Sequence, residues 1–433
     1  MKLHLRHYRP WIVFAFLMIS LGLGDIVLGA ESITRLSSKE ELHSLKKFHS
    51  IPNFRLGGAY RFGDEAAYEY GGDGGVTLES LGQEPLRVAY ITAGIPKRDK
   101  EGKIINAVVI FSYYSGDATD MVFFWQAGQP GVEFSEGPVV GPGRLIDTDR
   151  YFVIYVDSIG LWGASKPSDG LGMRFPDYTY MDIVQANYRL LKDVLGVKKV
   201  KLATGVSMGG GLAYVLAILH PDFVDAIIPI GANSFPDNVA RWTFRLMTEA
   251  VKSDPAWRKT QGDYYKLPRD EKPGIGLKFA WSILEHTAYD FNYRVTQNWQ
   301  EDVLGYVFSW DPEEGAGSYL DRRAQDFDAN DILIRNRTCD KYNINEQLSL
   351  IKAKTLVVHA RNDHWLIYRM AEWTSKQIPG AKIVGFDSPL AHYAIFRAPH
   401  VLRKDFLGFF KEAGIVPGGN LSWSKPQKTG FEK

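Results

Sequence analysis

One run, Lys199-Val-Lys-Leu-Ala-Thr-Gly205-Val-Ser207-Met-Gly209-Gly-Gly211, constrains the fold of this chain most tightly. Apolar Val200, Leu202 and Ala203 lead into it as a buried strand does, and residues 212–219 lead out of it as an apolar helix. Between them the spacing is that of a strand–turn–helix elbow, in which a serine sits on a sharp, strained turn with its hydroxyl exposed. A side chain at Gly205 or Gly209 would collide with such a turn, so glycine at both positions is a steric requirement. The competing reading is a glycine-rich helix start with a bystander serine; the apolar flanks favour the elbow.

Short apolar runs recur at residues 86–92, 107–111, 151–156, 200–204, 226–230 and 355–359. Continuous apolar runs of this length suit strands buried on both faces of a parallel sheet. Helical patterns separate them, at residues 182–192 and after Ser207, and the alternation predicts a mostly parallel, doubly wound α/β sheet. From about 235 to 350 no strand run occurs, and Trp242, Trp257, Tyr264, Tyr265, Trp281, Trp299 and Trp310 are scattered through the segment. This predicts a helical lid insertion over the end of the sheet where Ser207 is exposed, with a separate small domain as the alternative. The expected division is a signal peptide over 1–30, a polar leader over 31–75, a core over 76–234 and 351–415, the lid over 235–350, and a loose tail over 416–433.

The signal-peptide expectation rests on Lys2, Arg6 and Arg9, the apolar stretch 11–23 and the small residues Gly29 and Ala30. Basic, apolar and small residues in that order mark an exported chain. The apolar stretch is short for a bilayer span, so periplasmic location or secretion is expected, with an uncleaved anchor as the alternative. A single cysteine, Cys339, rules out an intramolecular disulfide. The net charge of +1 gives no field that would attract nucleic acid.

A serine hydroxyl is a weak nucleophile near neutral pH and needs a base, which in turn needs an orienting acid. After an elbow of this kind the acid and the base follow in that order on loops beyond later strands. Asp363 follows the run at 355–359, and His392 lies in the loop after the strand-like residues 382–386. The alternatives are His364, adjacent to Asp363, His359, within a strand, and Asp387, five residues before His392. Asp363 and His392 are the expected partners of Ser207. The amide of Met208 is the expected oxyanion donor, with that of Tyr114, from the loop after 107–111, as the second. No metal-binding or dinucleotide motif is present, and no cofactor is expected.

These residues resemble the homoserine O-acetyltransferase branch of the α/β-hydrolase superfamily over about 76–412. The specific pieces are 76–80 with 86–90, the long stretch 141–154, Phe175-Pro with Asp182, Ser207-Met-Gly-Gly210, and Ala391-His392. The resemblance implies an α/β-hydrolase fold with a helical lid, acyl transfer through an acyl-serine on Ser207, Asp363 and His392, and a homodimer formed through the lid. It also implies an Asp after the catalytic His, an Arg before Asp182 and an Arg early in the lid. Here those places hold Tyr393, Met181 and the arginine-free 233–237. A zwitterionic substrate needs paired charges, because an unpaired buried charge is costly. The expected activity is therefore hydrolysis of an ester or related acyl bond of a small molecule. Transfer to an acceptor other than homoserine is the alternative, and a non-enzymatic binding protein a third reading.

Overall fold

The computed structural model describes residues 39–63, 68–127, 137–290 and 319–419. The signal-peptide expectation over 1–30, Trp299, Trp310 and the tail from 420 lie outside the described residues. Among the described residues no helix is long and apolar enough to cross a membrane.

Eight strands form one sheet: β1 (Lys47–Ile51), β2 (Leu86–Ala93), β3 (Ala107–Phe111), β4 (Phe152–Val156), β5 (Val200–Val206), β6 (Ala226–Ile230), β7 (Lys354–Ala360) and β8 (Lys382–Phe386). Their order is β1-β2-β4-β3-β5-β6-β7-β8. β2 runs antiparallel to both neighbours, and every other pairing is parallel. Side chains alternate across the sheet, yet both faces are covered. Val109, Phe111, Ile154 and Val156 enter one apolar core, and Val108, Ile110, Val153 and Tyr155 enter the other. This double burial is why the strands read as unbroken apolar runs.

The helices that position the site are α1 (Tyr180–Arg189), α2 (Met208–Leu219), α3 (Asn238–Lys252), α4 (Ile275–Ala288), α5 (Tyr319–Asp326), α6 (Ala329–Lys341), α7 (Tyr368–Gln377) and α8 (Arg403–Ala413). Thr179 caps α1 by accepting from the amide of Asp182, and the Asp182 carboxylate returns the bond to the amide of Thr179. α3 and α6 start on Asp237 and Asp328, whose carboxylates accept amides of the first turn. The described part of the insertion between β6 and β7 consists of helices joined by turns and loops, with no strand. Fully buried Trp281 of α4 packs against Phe327, with ring centroids 4.6 Å apart.

The segment expected as a leader contributes to the sheet. β1 pairs with β2 from Lys47↔Tyr90 to Ile51↔Leu86. Periodicity misses it because only Ile51 of its five residues is buried. Just before it, the buried Lys46 ammonium lies 2.5 Å from Asp117 Oδ2 and 3.0 Å from Asp157 Oδ2. Asp157 also accepts from the amide of Ala118 at 2.7 Å. Burial pushes the Asp157 carboxyl up to about 6 against the pull of Lys46. The first residues of the expected tail also dock on the core. The amide of Val416 donates to the Tyr151 hydroxyl, and that of Gly418 to the carbonyl of Arg144. Replacing Lys46 by Ala leaves two carboxylates buried without their cation, and should cost about 3–5 kcal/mol of unfolding free energy, read by denaturant titration.

Candidate active site

Ser207 sits at the carboxyl end of β5, between β3 and β6 in the sheet. Its backbone is at φ 52° and ψ −122°, a conformation that costs a residue with a side chain of order 1–3 kcal/mol. The amide of Ser207 donates to the carbonyl of Ile230 at 2.8 Å, anchoring the turn to β6. A Cβ on Gly205 would fall 2.7 Å from the carbonyl carbon of Gly209, and one on Gly209 would fall 2.6 Å from the carbonyl oxygen of Phe111. Both glycines are therefore demanded by close backbone approach, as the spacing predicted.

Ser207 Oγ is 3.0 Å from His392 Nε2, and His392 Nδ1 is 2.6 Å from Asp363 Oδ2. The other carboxylate oxygen of Asp363 accepts the amides of Trp365 and Leu366, each at 2.9 Å. All three side chains are buried. Burial works to raise the Asp363 pKa, but the His392 ring beside it, its hydrogen bond and the Leu366 amide hold the carboxyl below its ordinary value. The pair therefore stabilises the fold above that ordinary value, and the contribution disappears as the pH falls through the lowered one. Trp365 stands edge-on to the imidazole at 4.8 Å between centroids and restricts its rotation. The chain of bonds from carboxylate to imidazole to hydroxyl is one that can take up a serine proton.

The alternatives lie elsewhere. Asp387 is exposed and pairs with Arg361 at 3.0 Å. His364 Nε2 lies 3.3 Å from Asp290. His359 is wholly buried in β7, where burial pushes its pKa down.

A cavity of about 40 Å³ opens beside Ser207. On a scale where one water needs roughly 10–15 Å³, it holds about three waters. Ser207, Met208 and Tyr114 line it together with Tyr180, Phe235, Phe244, Tyr342 and Trp365. Met208 is the first residue of α2, whose opening amides lack intrahelical acceptors. The Tyr114 ring is buried in the same wall, and its hydroxyl donates to Asn336 of α6, tying this loop to the lid. No described residue in the lining carries a charged side chain. Burial pushes the Cys339 thiol there up to about 11, so it stays neutral.

Charges do exist just behind this lining, each engaged. Arg335 of α6 is fully buried, and its guanidinium donates to the carbonyl of Ile159 at 2.8 Å and contacts Met208 Sδ at 3.0 Å. Glu285 of α4 accepts from the hydroxyl of Tyr393, the residue after His392, at 2.7 Å. Met181 lines a separate cleft with Tyr60 and Lys341. Sequence reasoning missed Arg335 and Glu285. Nothing in their local spacing marks them, because their partners lie far off in the chain.

Residues 142–399 match the alpha/beta hydrolase fold family, and together with the sheet order and the elbow this makes the chain an α/β-hydrolase. A homoserine O-acetyltransferase of Clavibacter michiganensis subsp. michiganensis is 31% identical over 349 residues, covering 75% of this chain and 86% of that one. The chain belongs to the homoserine O-acetyltransferase-like branch of that superfamily. A probable acyltransferase of Methanothermobacter thermautotrophicus is 26% identical over 313 residues, covering 71% of this chain and 86% of its own. Among solved structures, an acetylester hydrolase from Corynebacterium glutamicum superposes with a TM-score of 0.66 at 19% identity, over 86% of this chain and 97% of that one, and shares the fold.

Gly205→Ala should destabilise the protein by about 1–3 kcal/mol through overpacking at the elbow. Thermal unfolding, together with loss of Ser207 labelling by a fluorophosphonate, checks it.

Proposed function

We propose that the protein hydrolyses a short-chain ester through an acyl-serine on Ser207. The observation that carries this reading is the small cavity beside Ser207, whose described lining holds no charged side chain. An amino-acid acceptor would bring an ammonium and a carboxylate into that space with nothing to pair them, at a cost of several kcal/mol per ion. A neutral short ester meets no such penalty, and room for about three waters suits an acyl group of about three heavy atoms, such as acetyl.

In this reading Ser207 Oγ attacks the ester carbonyl carbon while His392 Nε2 takes its proton. Asp363 holds the ring in the required orientation and stabilises the imidazolium. The carbonyl electron pair moves onto oxygen, where the amides of Met208 and Tyr114 are the proposed donors. Collapse breaks the carbon–oxygen bond to the alcohol, which leaves with the proton from His392. Water then attacks the acyl-serine, giving its proton to His392, and the carboxylic acid departs as Ser207 recovers its proton.

A second reading, transfer of the acyl group to an acceptor other than homoserine, is supported by the relatives. The acyl-serine half of the two reactions is identical, and only the deacylating nucleophile differs. The basic, apolar and small-residue order of the amino terminus supports export of the chain to the periplasm or beyond, away from the cytoplasmic supply of acyl-CoA.

With p-nitrophenyl esters from acetate to octanoate, the wild type should release free acid, and kcat/KM should fall at least roughly tenfold beyond the length the cavity holds. Ser207→Ala should abolish turnover. Full activity in that variant would end the hydrolase reading, and with an alcohol or amine added as acceptor, its acylated product in the mass spectrum would move it to transfer.

We also propose that two copies pair through the lid. Trp242 and Leu246 lie one turn apart on α3 and are 73% and 53% exposed, an apolar pair that a partner surface would cover. Light scattering should show a dimer that Leu246→Glu converts to monomer; an unchanged mass in both proteins would refute the pairing.

A further inference from the structure

Among the described residues lining the cavity beside Ser207, three polar atoms find no hydrogen-bond partner: Asn233 Oδ1, the Tyr342 hydroxyl and Trp365 Nε1. The last belongs to the ring that stands against His392; Asn233 and Tyr342 are more than nine-tenths buried, at 4% and 8% exposure. Buried polar groups are nearly always satisfied, and one left without a partner costs about as much as a lost hydrogen bond returns, so an orphan in a binding cavity points to a ligand atom.

The surroundings fix both groups. Asn233 donates its Nδ2 to the carbonyl of Ile367 at 3.4 Å, which turns its oxygen to the other side. The Tyr342 ring stacks on Tyr180 at 4.0 Å between centroids, with an interplanar angle of 18°. A Cβ on Gly211 would lie 3.4 Å from the Tyr342 oxygen, and a Cβ on Gly210 would lie 2.7 Å from the Cβ of Ala232, the neighbour of Asn233. Asn233 and Tyr342 therefore both border the first turn of α2, immediately beyond Ser207. Burial holds the Tyr342 pKa far above neutrality, so its hydroxyl keeps its proton to donate.

We propose that Asn233 and Tyr342 form a polar subsite for a free hydroxyl group of the substrate. Asn233 Oδ1 accepts the substrate proton, and the Tyr342 hydroxyl donates to the substrate oxygen. An acceptor paired with a donor matches an alcohol, which offers one of each. It does not match an ammonium, which only donates, or a carboxylate, which only accepts. The substrate class is a short ester bearing a hydroxyl, carried either on its alcohol part, as in the monoester of a diol, or on its acyl part, as in a hydroxyacyl ester. This assignment rests on the hydrolase reading of Ser207 and narrows it.

Two isosteric pairs separate the sources: 2-hydroxyethyl acetate against propyl acetate for the alcohol part, and methyl glycolate against methyl propionate for the acyl part. The kcat/KM ratio within each pair is read by pH-stat titration in wild type, Asn233→Leu and Tyr342→Phe. Because the hydroxylated esters differ in intrinsic reactivity, the change of ratio between wild type and variant is the measurement. In one pair the wild-type ratio should exceed that of each variant by roughly tenfold or more, as expected for a site built to hydrogen-bond a substrate hydroxyl. Tyr342→Phe removes one oxygen and keeps the ring stack, so it reports even if Asn233→Leu misfolds. Equal ratios in wild type and Tyr342→Phe for both pairs would overturn the subsite. If no ester is turned over while a fluorophosphonate still labels Ser207, hydrolysis fails instead. The ratios are then read as rates of acyl-Ser207 formation by mass spectrometry, where a roughly tenfold drop in Tyr342→Phe supports the subsite and an unchanged ratio overturns it.

Discussion

The site depends on a backbone conformation that a serine does not adopt unaided. Ser207 is held at φ 52° by three neighbours that leave it no room to relax: the amide bond to Ile230, the backbone of Gly209 against Gly205, and Phe111 of β3 against Gly209. These contacts exist only because β3, β5 and β6 lie side by side in register, with Phe111 opposite Gly205 and Val206 opposite Ile230. The strain is therefore sustained by the centre of the sheet, where β5 is paired with a strand on each side. The same parallel register carries β7 and β8 onward, so that the loops after them deliver Asp363 and His392 to the serine at bonding distance. The geometry of the reactive groups is thus a property of the sheet, set by elements more than a hundred residues apart.

That dependence explains which parts of the molecule could be read from the chain. Strands buried on both faces announce themselves as unbroken apolar runs, and the elbow announces itself by two glycines with no steric alternative. Order along the chain then picks out Asp363 and His392, because topology fixes which loops can reach Ser207. β1 stayed hidden because an edge strand with one buried residue has no apolar pattern. Lys46 stayed hidden for a different reason. Its partners are 71 and 111 residues away, and nothing near it shows that it will be buried. Arg335 and Glu285 likewise look like ordinary helix charges until the fold places them behind the cavity wall.

The distribution of charge around the cavity is layered. Its lining is neutral among the described residues, whereas the layer behind contains Arg335, Glu285 and Asp363, each fixed by hydrogen bonds. Buried ions of this kind contribute little net stability, because desolvation offsets most of their attraction. They do restrict geometry. Arg335 ties α6 to the end of β4 and to Met208, and the Tyr114 hydroxyl ties the loop after β3 to Asn336 of the same helix. Both proposed oxyanion donors thus belong to residues gripped by the lid, so lid position and donor position are linked.

The same layering bears on how an acyltransferase scaffold could come to favour hydrolysis. Acyl transfer to an amino acid needs two things from the protein: an acyl-serine, and a charged site that holds the acceptor better than bulk water competes with it. The first depends on the elbow and its partners, and those residues are in place. The second depends on side chains at the rim, and those are the positions at which this chain departs, with Tyr393 after the histidine and Asn233 at the start of the lid. The Tyr393 hydroxyl donates a hydrogen bond to Glu285, so that carboxylate is already engaged. In the proposed hydrolase, an acceptor that is not held leaves water, at its bulk concentration, as the nucleophile for the acyl-serine. On that proposal, loss of acceptor recognition with the geometry around Ser207 untouched is the change that turns transfer into hydrolysis.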